Sequence, residues 1–166
     1  MSAETRFADF VRANTEALVR TAYLLTGSSH GAEELVQDTL VRLYPKWGRV
    51  ESADVPLAYV RRSLTNGFLN QRRRASSRDI VTDSVPERPG ERSDEDDLVD
   101  RDEVWALLQT LGHRQRAALV LRYYQGFDEA QIADALGCRP RTVRSLVSRG
   151  LATLRQTVST DGGRTS

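Results

Sequence analysis

Cysteine is nearly absent from this chain of 166 residues: the single thiol, Cys138, excludes an internal disulfide and a multi-cysteine zinc site. Histidine is as scarce. His30 and His113 stand far apart with no ligand-spaced companions, so neither a metal centre nor another cofactor is expected. No apolar run approaches the ~20 residues of a membrane span. The opening MSAETRFADF lacks a basic start followed by an apolar core, so it does not read as a secretory signal. A Walker-type phosphate loop, a G-x-S-x-G elbow and an H-E-x-x-H pair are all missing. These absences lead to the expectation of a cytoplasmic protein that is not an enzyme.

Charge is present, and it is patterned. Residues 1–78 carry twelve basic and eight acidic side chains, residues 79–103 three and eleven, and residues 104–166 nine and four. Two basic ends therefore flank an acidic middle. Basic ends suit phosphate-rich partners, whereas an acidic block is usually solvated.

Apolar periodicity is helical throughout, so the expected fold is all-α. Phe10, Val11, Ala17, Leu18, Ala22 and Leu25 mark a first helix, and TGSSHG breaks it, with Gly27 as its cap. A second helix starts near His30, capped by Ser28 or Ser29, with Glu33 and Glu34 in its first turn. Its stripe is Ala32, Leu35, Leu40 and Leu43, and it ends near Trp47. GRVESADVP reads as a loop. Pro56 opens a third helix, in which Leu57, Val60, Leu64 and Phe68 point inward. Its other face carries Arg62, Asn66, Asn70 and Arg73, with Arg61 and Arg72 beside it.

Periodicity vanishes over residues 79–97, where DSVPERPGERSDEDD offers almost nothing to bury. A flexible, acidic, disordered linker is expected there. Order resumes near Leu98. Val104, Leu107, Leu108 and Leu111 suit one helix, and Ala117, Leu119, Val120 and Tyr123 another, ended by Gly126. Asp128 with Gln131 resembles a capping box. EAQIADALGCRPRTVRSLVS then has the alanine, glycine and valine offsets of a helix-turn-helix. Val143, Val147, Leu151 and Leu154 would pack inward, leaving Arg141, Arg144, Ser145, Ser148 and Arg149 outside. The domains expected are 1–78, the linker 79–97, 98–158, and a disordered tail 159–166.

The outward arginines of the last helix favour duplex DNA, since arginine pairs bidentately with guanine and Ser or Thr contacts bases or phosphates. The arginine-rich third helix reads equally well as a soluble surface or as a second phosphate-facing one. Taken alone, Glu33, Glu34 and Asp38 read as a solvated face, Trp47 and Tyr44 as core, and Cys138 as a small buried residue.

In order along the chain, HGAEELVQDTLVRLYPKW (30–47), PLAYVRRSLTNGFLNQRRR (56–74) and the segment 111–155 resemble three parts of bacterial RNA polymerase sigma factors. They are the polymerase-binding helix, the promoter −10 helix and the −35-binding domain. The arrangement is similar to that of the extracytoplasmic-function group, and to its actinobacterial SigE-like branch. The resemblance implies an alternative sigma factor that binds core RNA polymerase through its β′ and β subunits. It also implies recognition of promoter DNA, help in melting it, and room for an anti-sigma factor. It assigns Glu33, Glu34, Gln37 and Asp38 to the β′ coiled coil. Arg61, Arg62, Asn66, Asn70, Arg72 and Arg73 fall to the −10 element, and loop Gly48–Val55 to capture of a flipped base. Arg139, Arg141, Thr142, Arg144, Ser145, Ser148 and Arg149 fall to the −35 element. The competing reading is a stand-alone helix-turn-helix regulator, which leaves the acidic and basic N-terminal helices without a role.

Overall fold

The computed structural model describes residues 1–78 and 103–162, with side chains over 1–75 and 103–160. The expected linker 79–97, the restart near Leu98 and the last residues of the tail lie outside them. The described residues are helical, with no strand among them, and fall into two units, within Met1–Gly90 and within Glu91–Ser166.

Helix α1 (Ala3–Thr26) starts where the Ser2 hydroxyl accepts from the Thr5 amide, and it stops at Gly27, whose φ of 74° is left-handed. A two-residue connection follows. Ser28, not Ser29, is the cap of α2 (Ser29–Leu43), its Oγ accepting from the Gly31 amide at 3.1 Å. With that start, Glu33 and Glu34 fall beyond the first turn, which holds no acid. Helix α2 also ends earlier than expected, at Leu43. A 3-10 turn (Tyr44–Lys46) and a short helix α3 (Trp47–Glu51) follow it. The segment read as a loop from Gly48 is thus helical through Glu51, leaving 52–55 as the connection to α4 (Pro56–Arg78).

Burial explains the assembly. Leu18, Ala22 and Leu25 of α1, Ala32 and Leu35 of α2, and Val60 and Leu64 of α4 have no exposed surface, and Phe68 has 1%. Each set recurs at three or four residues, so three stripes close on one another. Trp47 joins this core, edge-on to Phe7 at 5.1 Å and tilted against Phe10 at 4.9 Å. Tyr44, expected inside with it, is 45% exposed, because the 3-10 turn places only its ring edge against Phe7, at 4.9 Å. An ion pair between Arg6 and Glu51 at 2.7 Å ties the start of α1 to the end of α3.

The second unit opens with helix α5, described over 103–108. Leu111 is buried in the turn after it, while Val104, grouped with it in the sequence, is 46% exposed. Arg116 is buried, and its Nε and Nη2 donate to the carbonyls of Leu108 (3.0 Å) and Leu111 (3.3 Å). A charged donor thus meets carbonyls that a helix end leaves without an intrahelical partner. Helix α6 (His113–Leu119) widens into a π turn over Val120–Tyr124. The extra residue per turn shifts the register of the inward face. Tyr123, expected inside, is therefore 61% exposed with the Arg122 guanidinium over its ring, and Phe127 is buried instead.

Helix α7 (Glu129–Leu136) begins with a complete capping box, Asp128 and Gln131 each bonded to the other's backbone amide. It ends at Gly137 (φ 65°), a backbone state that other residues rarely adopt. Helix α8 (Pro140–Gly162) follows and runs past residue 158. Ile132, Ala135 and Val143 are fully buried and Val147 nearly so, which locks the two helices at their turn. Arg114 Nη2 donates to the Leu136 carbonyl at 3.2 Å and closes the end of α7.

Replacing Asp128 with alanine leaves one amide of the α7 start without its acceptor. A loss of about 1 kcal/mol in unfolding free energy is expected, measured by denaturant titration of the full chain. An unchanged midpoint contradicts the role of the box.

Candidate polymerase and nucleic-acid interfaces

Burial of Leu35, Val36 and Leu40 turns the opposite edge of α2 to solvent. Glu33, Glu34, Gln37 and Asp38 are all exposed there. His30 Nε2 lies 3.4 Å from Glu34 Oε1, but the two side chains are 81% and 63% exposed, so water weakens the pair. Val41, one turn beyond Gln37, is 72% exposed. Sequence reasoning passed it over. The available signal was an aliphatic residue outside the inward register of α2, set among acids.

On α4, burial of Val60, Leu64 and Phe68 aligns Asn66, Asn70 and Arg73 along the exposed side. Arg61, Arg62 and Arg72 are half-buried. Arg62 lies over the Tyr59 ring at 5.0 Å and Arg72 over the Phe68 ring at 5.6 Å. Aromatic faces thus orient two of these guanidinium groups. The six expected −10 residues therefore divide into an exposed line and a half-buried flank.

The two surfaces of this unit meet. Asp38, Val41 and Arg42 of α2 and Gly67, Asn70, Gln71 and Arg74 of α4 line one groove of about 280 Å³. Arg42 Nε donates to its own helix at the Asp38 carbonyl (3.3 Å), and Nη2 reaches Thr39 Oγ1 (3.4 Å). This lays the guanidinium across Gly67, where an added Cβ would stand 2.6 Å from Nη2. Arg42, Gln71 and Arg74 were not picked out in the sequence.

In the second unit, burial of Val143 and Val147 turns the opposite face of α8 outward. Arg139, Arg141, Thr142, Arg144, Ser145, Ser148 and Arg149 are all exposed. Five of them, Arg141, Arg144, Ser145, Ser148 and Arg149, line one shallow groove of about 430 Å³. Arg139 precedes the helix, and its carbonyl accepts from the Thr142 amide at 2.9 Å. Cys138 in the turn is half-buried. Arg144 Nε pairs with Glu129 Oε1 of α7 at 3.1 Å. Glu129 is a residue the sequence did not single out. The groove presents arginine forks and hydroxyls on a rigid helix, a chemistry suited to base edges and phosphate oxygens. Among the described residues no group of three His, Cys, Asp or Glu could hold a metal ion, and no helix is long and apolar enough to cross a membrane.

Taken together, two helical units, one with an acidic and a basic edge and one with a helix-turn-helix, define the architecture of a transcription-initiation subunit. Residues 10–78 match the family described as Sigma-70 region 2 and residues 101–154 match Sigma-70, region 4. An RNA polymerase sigma-E factor of Streptomyces coelicolor is 32% identical over 90% of this chain and 84% of its own length. The ECF RNA polymerase sigma factor SigL of Mycobacterium tuberculosis is 31% identical over 85% and 82%. Among solved structures, the sigma factor RpoE of Bartonella quintana, in complex with the anti-sigma factor NepR, superposes with a TM-score of 0.70. Its identity is 28%, over 94% of this chain and 98% of that one. The chain belongs to the extracytoplasmic-function family of RNA polymerase sigma factors. It is an alternative sigma factor for transcription initiation, a task that joins core RNA polymerase to promoter DNA.

Substituting Gly67 separates groove chemistry from folding. The methyl of Gly67→Ala displaces only the movable end of Arg42 and meets Leu35 Cδ1 at an ordinary contact distance of 3.4 Å, and glycine inside a helix costs about 0.5–1 kcal/mol relative to alanine. Stability equal to or slightly above that of the parent is expected. Gly67→Leu also drives into Leu35 and is expected to cost about 1–3 kcal/mol. Urea unfolding of both variants checks the pair, and equal stability of the two would contradict this packing.

Proposed function

We propose that the two units divide the work of initiation. The acidic edge of α2, Glu33, Glu34, Gln37 and Asp38, docks on a basic coiled coil of the β′ subunit, with the β subunit contacted elsewhere. Exposed carboxylates complement a basic partner and set its register, and Val41 supplies an apolar contact among them. The face of α4 holds −10 DNA through Asn66, Asn70 and Arg73, with Arg61, Arg62 and Arg72 on its flank. The segment Gly48–Val55, helical through Glu51, takes a base extruded from the melted strand. Extrusion costs stacking energy, so a pocket for the free base traps the open state. In the second unit Arg139, Arg141, Thr142, Arg144, Ser145, Ser148 and Arg149 read the −35 element. The functional domains are then 1–78 and 98–158, joined by 79–97, with a short tail after them. The protein itself performs no catalysis, and it works in the cytoplasm, where polymerase is. The relative from Bartonella, solved in complex with the anti-sigma factor NepR, supports control of this chain by an anti-sigma factor.

The observation that carries this reading is that the acidic edge of α2 and the arginine-rich face of α4 are presented in one unit while the outward face of α8 lines a groove in the other. A stand-alone regulator needs that groove alone. It leaves the acidic edge of α2 and the arginine-rich α4 without a task. Capture of core polymerase by the full chain, followed by run-off transcription, tests the reading. Failure to bind core would refute it.

Two variant sets refine it. Glu34→Lys with Asp38→Lys reverses two charges on one face, and loss of a close, desolvated charge pair costs about 2–5 kcal/mol. Affinity for core is expected to fall at least thirtyfold with the helical content unchanged; parent-like affinity would remove α2 from the docking surface. Arg141→Ala and Arg149→Ala separate base reading from phosphate contact. A base reader loses about 1–3 kcal/mol of discrimination at one promoter position. A phosphate contact weakens all sequences alike and flattens the salt slope by about one unit. Transcription by both variants indistinguishable from the parent at every salt concentration would mean that this face does not meet DNA.

A further inference from the structure

Arg144 lies on the second turn of α8, in the N-terminal part that a helix-turn-helix presents to base edges. Among the described residues, its groove companions Arg141 and Arg149 have no ion pair to α7, whereas Arg144 reaches Glu129 Oε1 through Nε at 3.1 Å. Glu129 is the first residue of α7, and the adjacent capping box holds its backbone. The acid is thus fixed on one helix and the arginine extends from the other.

Folding has little need of this contact. The two side chains are 68% and 36% exposed, and such pairs add little stability in water. An acid also lowers the attraction of a DNA-facing surface for phosphate. Its placement makes sense for discrimination. Arginine reads guanine with two N–H groups, from either the Nε edge or the terminal Nη edge. The Glu129 carboxylate stands 3.1 Å from Nε as an ion pair, and its charge disfavours another acceptor at that first edge relative to the second. It also sets a negative charge where a phosphate oxygen would otherwise be drawn to the same guanidinium, and repulsion of a wrong partner is a source of specificity.

We propose that Glu129 is a specificity-determining residue of the −35 reader. It holds Arg144 by Nε, so that the terminal fork addresses a guanine edge, and it opposes capture of Arg144 by the backbone. This rests on the reading of α8 as the −35 surface. Without Glu129, Arg144 retains its charge but gains freedom, and it exchanges a base contact for a phosphate contact.

The test uses the full chain assembled with core polymerase and a pool of promoter templates randomised in the −35 block. Run-off transcripts are sequenced for the parent, E129A, R144A and the double variant. The expected result has three parts. R144A abolishes preference at one base position. E129A reduces preference at that same position about tenfold, while total transcription from non-preferred templates holds or rises. The double variant matches R144A, because Glu129 acts only through Arg144. An E129A profile identical to the parent, beside an altered R144A profile, overturns the inference and leaves the −35 reading standing. A change from E129A that persists undiminished in the R144A background also overturns it, since the acid then acts through helix stability. No change in R144A overturns both the inference and the assignment of this arginine to base reading.

Discussion

Leu18, Leu25, Leu35, Val60 and Leu64 lose all contact with water where α1, α2 and α4 meet, and Ile132, Ala135 and Val143 do the same at the turn between α7 and α8. Burial of the leucine, isoleucine and valine side chains among them contributes about 1.5–3 kcal/mol each. The same burial orients everything else. An α-helix has one rotation at which its apolar stripe is covered, and that rotation determines which residues face out. Val143 and Val147 inside place Arg141, Arg144, Ser145 and Ser148 outside. Leu35 and Val36 inside place Glu33, Glu34 and Asp38 outside. The polar surfaces are consequences of the core, and a side chain acquires its direction before it has a partner.

Orientation of a helix does not by itself aim a long arginine. Several contacts here narrow the choice. Arg62 and Arg72 rest over aromatic rings, Arg42 spans the gap left by Gly67, and Arg144 is held from α7. Others serve the scaffold: Arg114 and Arg116 close helix ends by donating to carbonyls. One residue type thus serves both the surface and the scaffold in this chain. Only the surroundings of each guanidinium distinguish them.

That distinction marks the limit of what the sequence made legible. The stripes were readable because helical period and burial are nearly the same information, as Leu18, Leu35, Leu64 and Val143 show. Caps were readable where a small polar residue met a fixed offset, as at Asp128 and Gln131. Breaks in period were not. The π turn after Leu119 leaves no trace in composition and the 3-10 turn after Leu43 is marked only by Pro45, so Tyr123 and Tyr44 were placed inside and face out. The loop expected from Gly48 became helix through Glu51, because Trp47 and Val50 find a core to enter. Roles in polymerase and promoter binding came from resemblance in motif order, since an exposed acid on a helix has no chemical mark of its purpose. Glu129 and the groove between α2 and α4 depend on helices that tertiary packing brings together, and periodicity does not reveal such neighbours.

The polar surfaces have in common that each is weak in the free protein. The pairs of His30 with Glu34 and of Arg144 with Glu129 are bathed in water, where an ion pair adds little. The same charges strengthen when a partner excludes solvent, because the effective dielectric falls. A surface built this way discriminates at the moment of docking and contributes little to folding, so substitutions on it should alter partner choice and leave stability nearly untouched. Two such surfaces on one chain gain further by linkage. On the proposed division of work, once one unit is held the other meets its target at a high effective concentration, and no single contact need be strong.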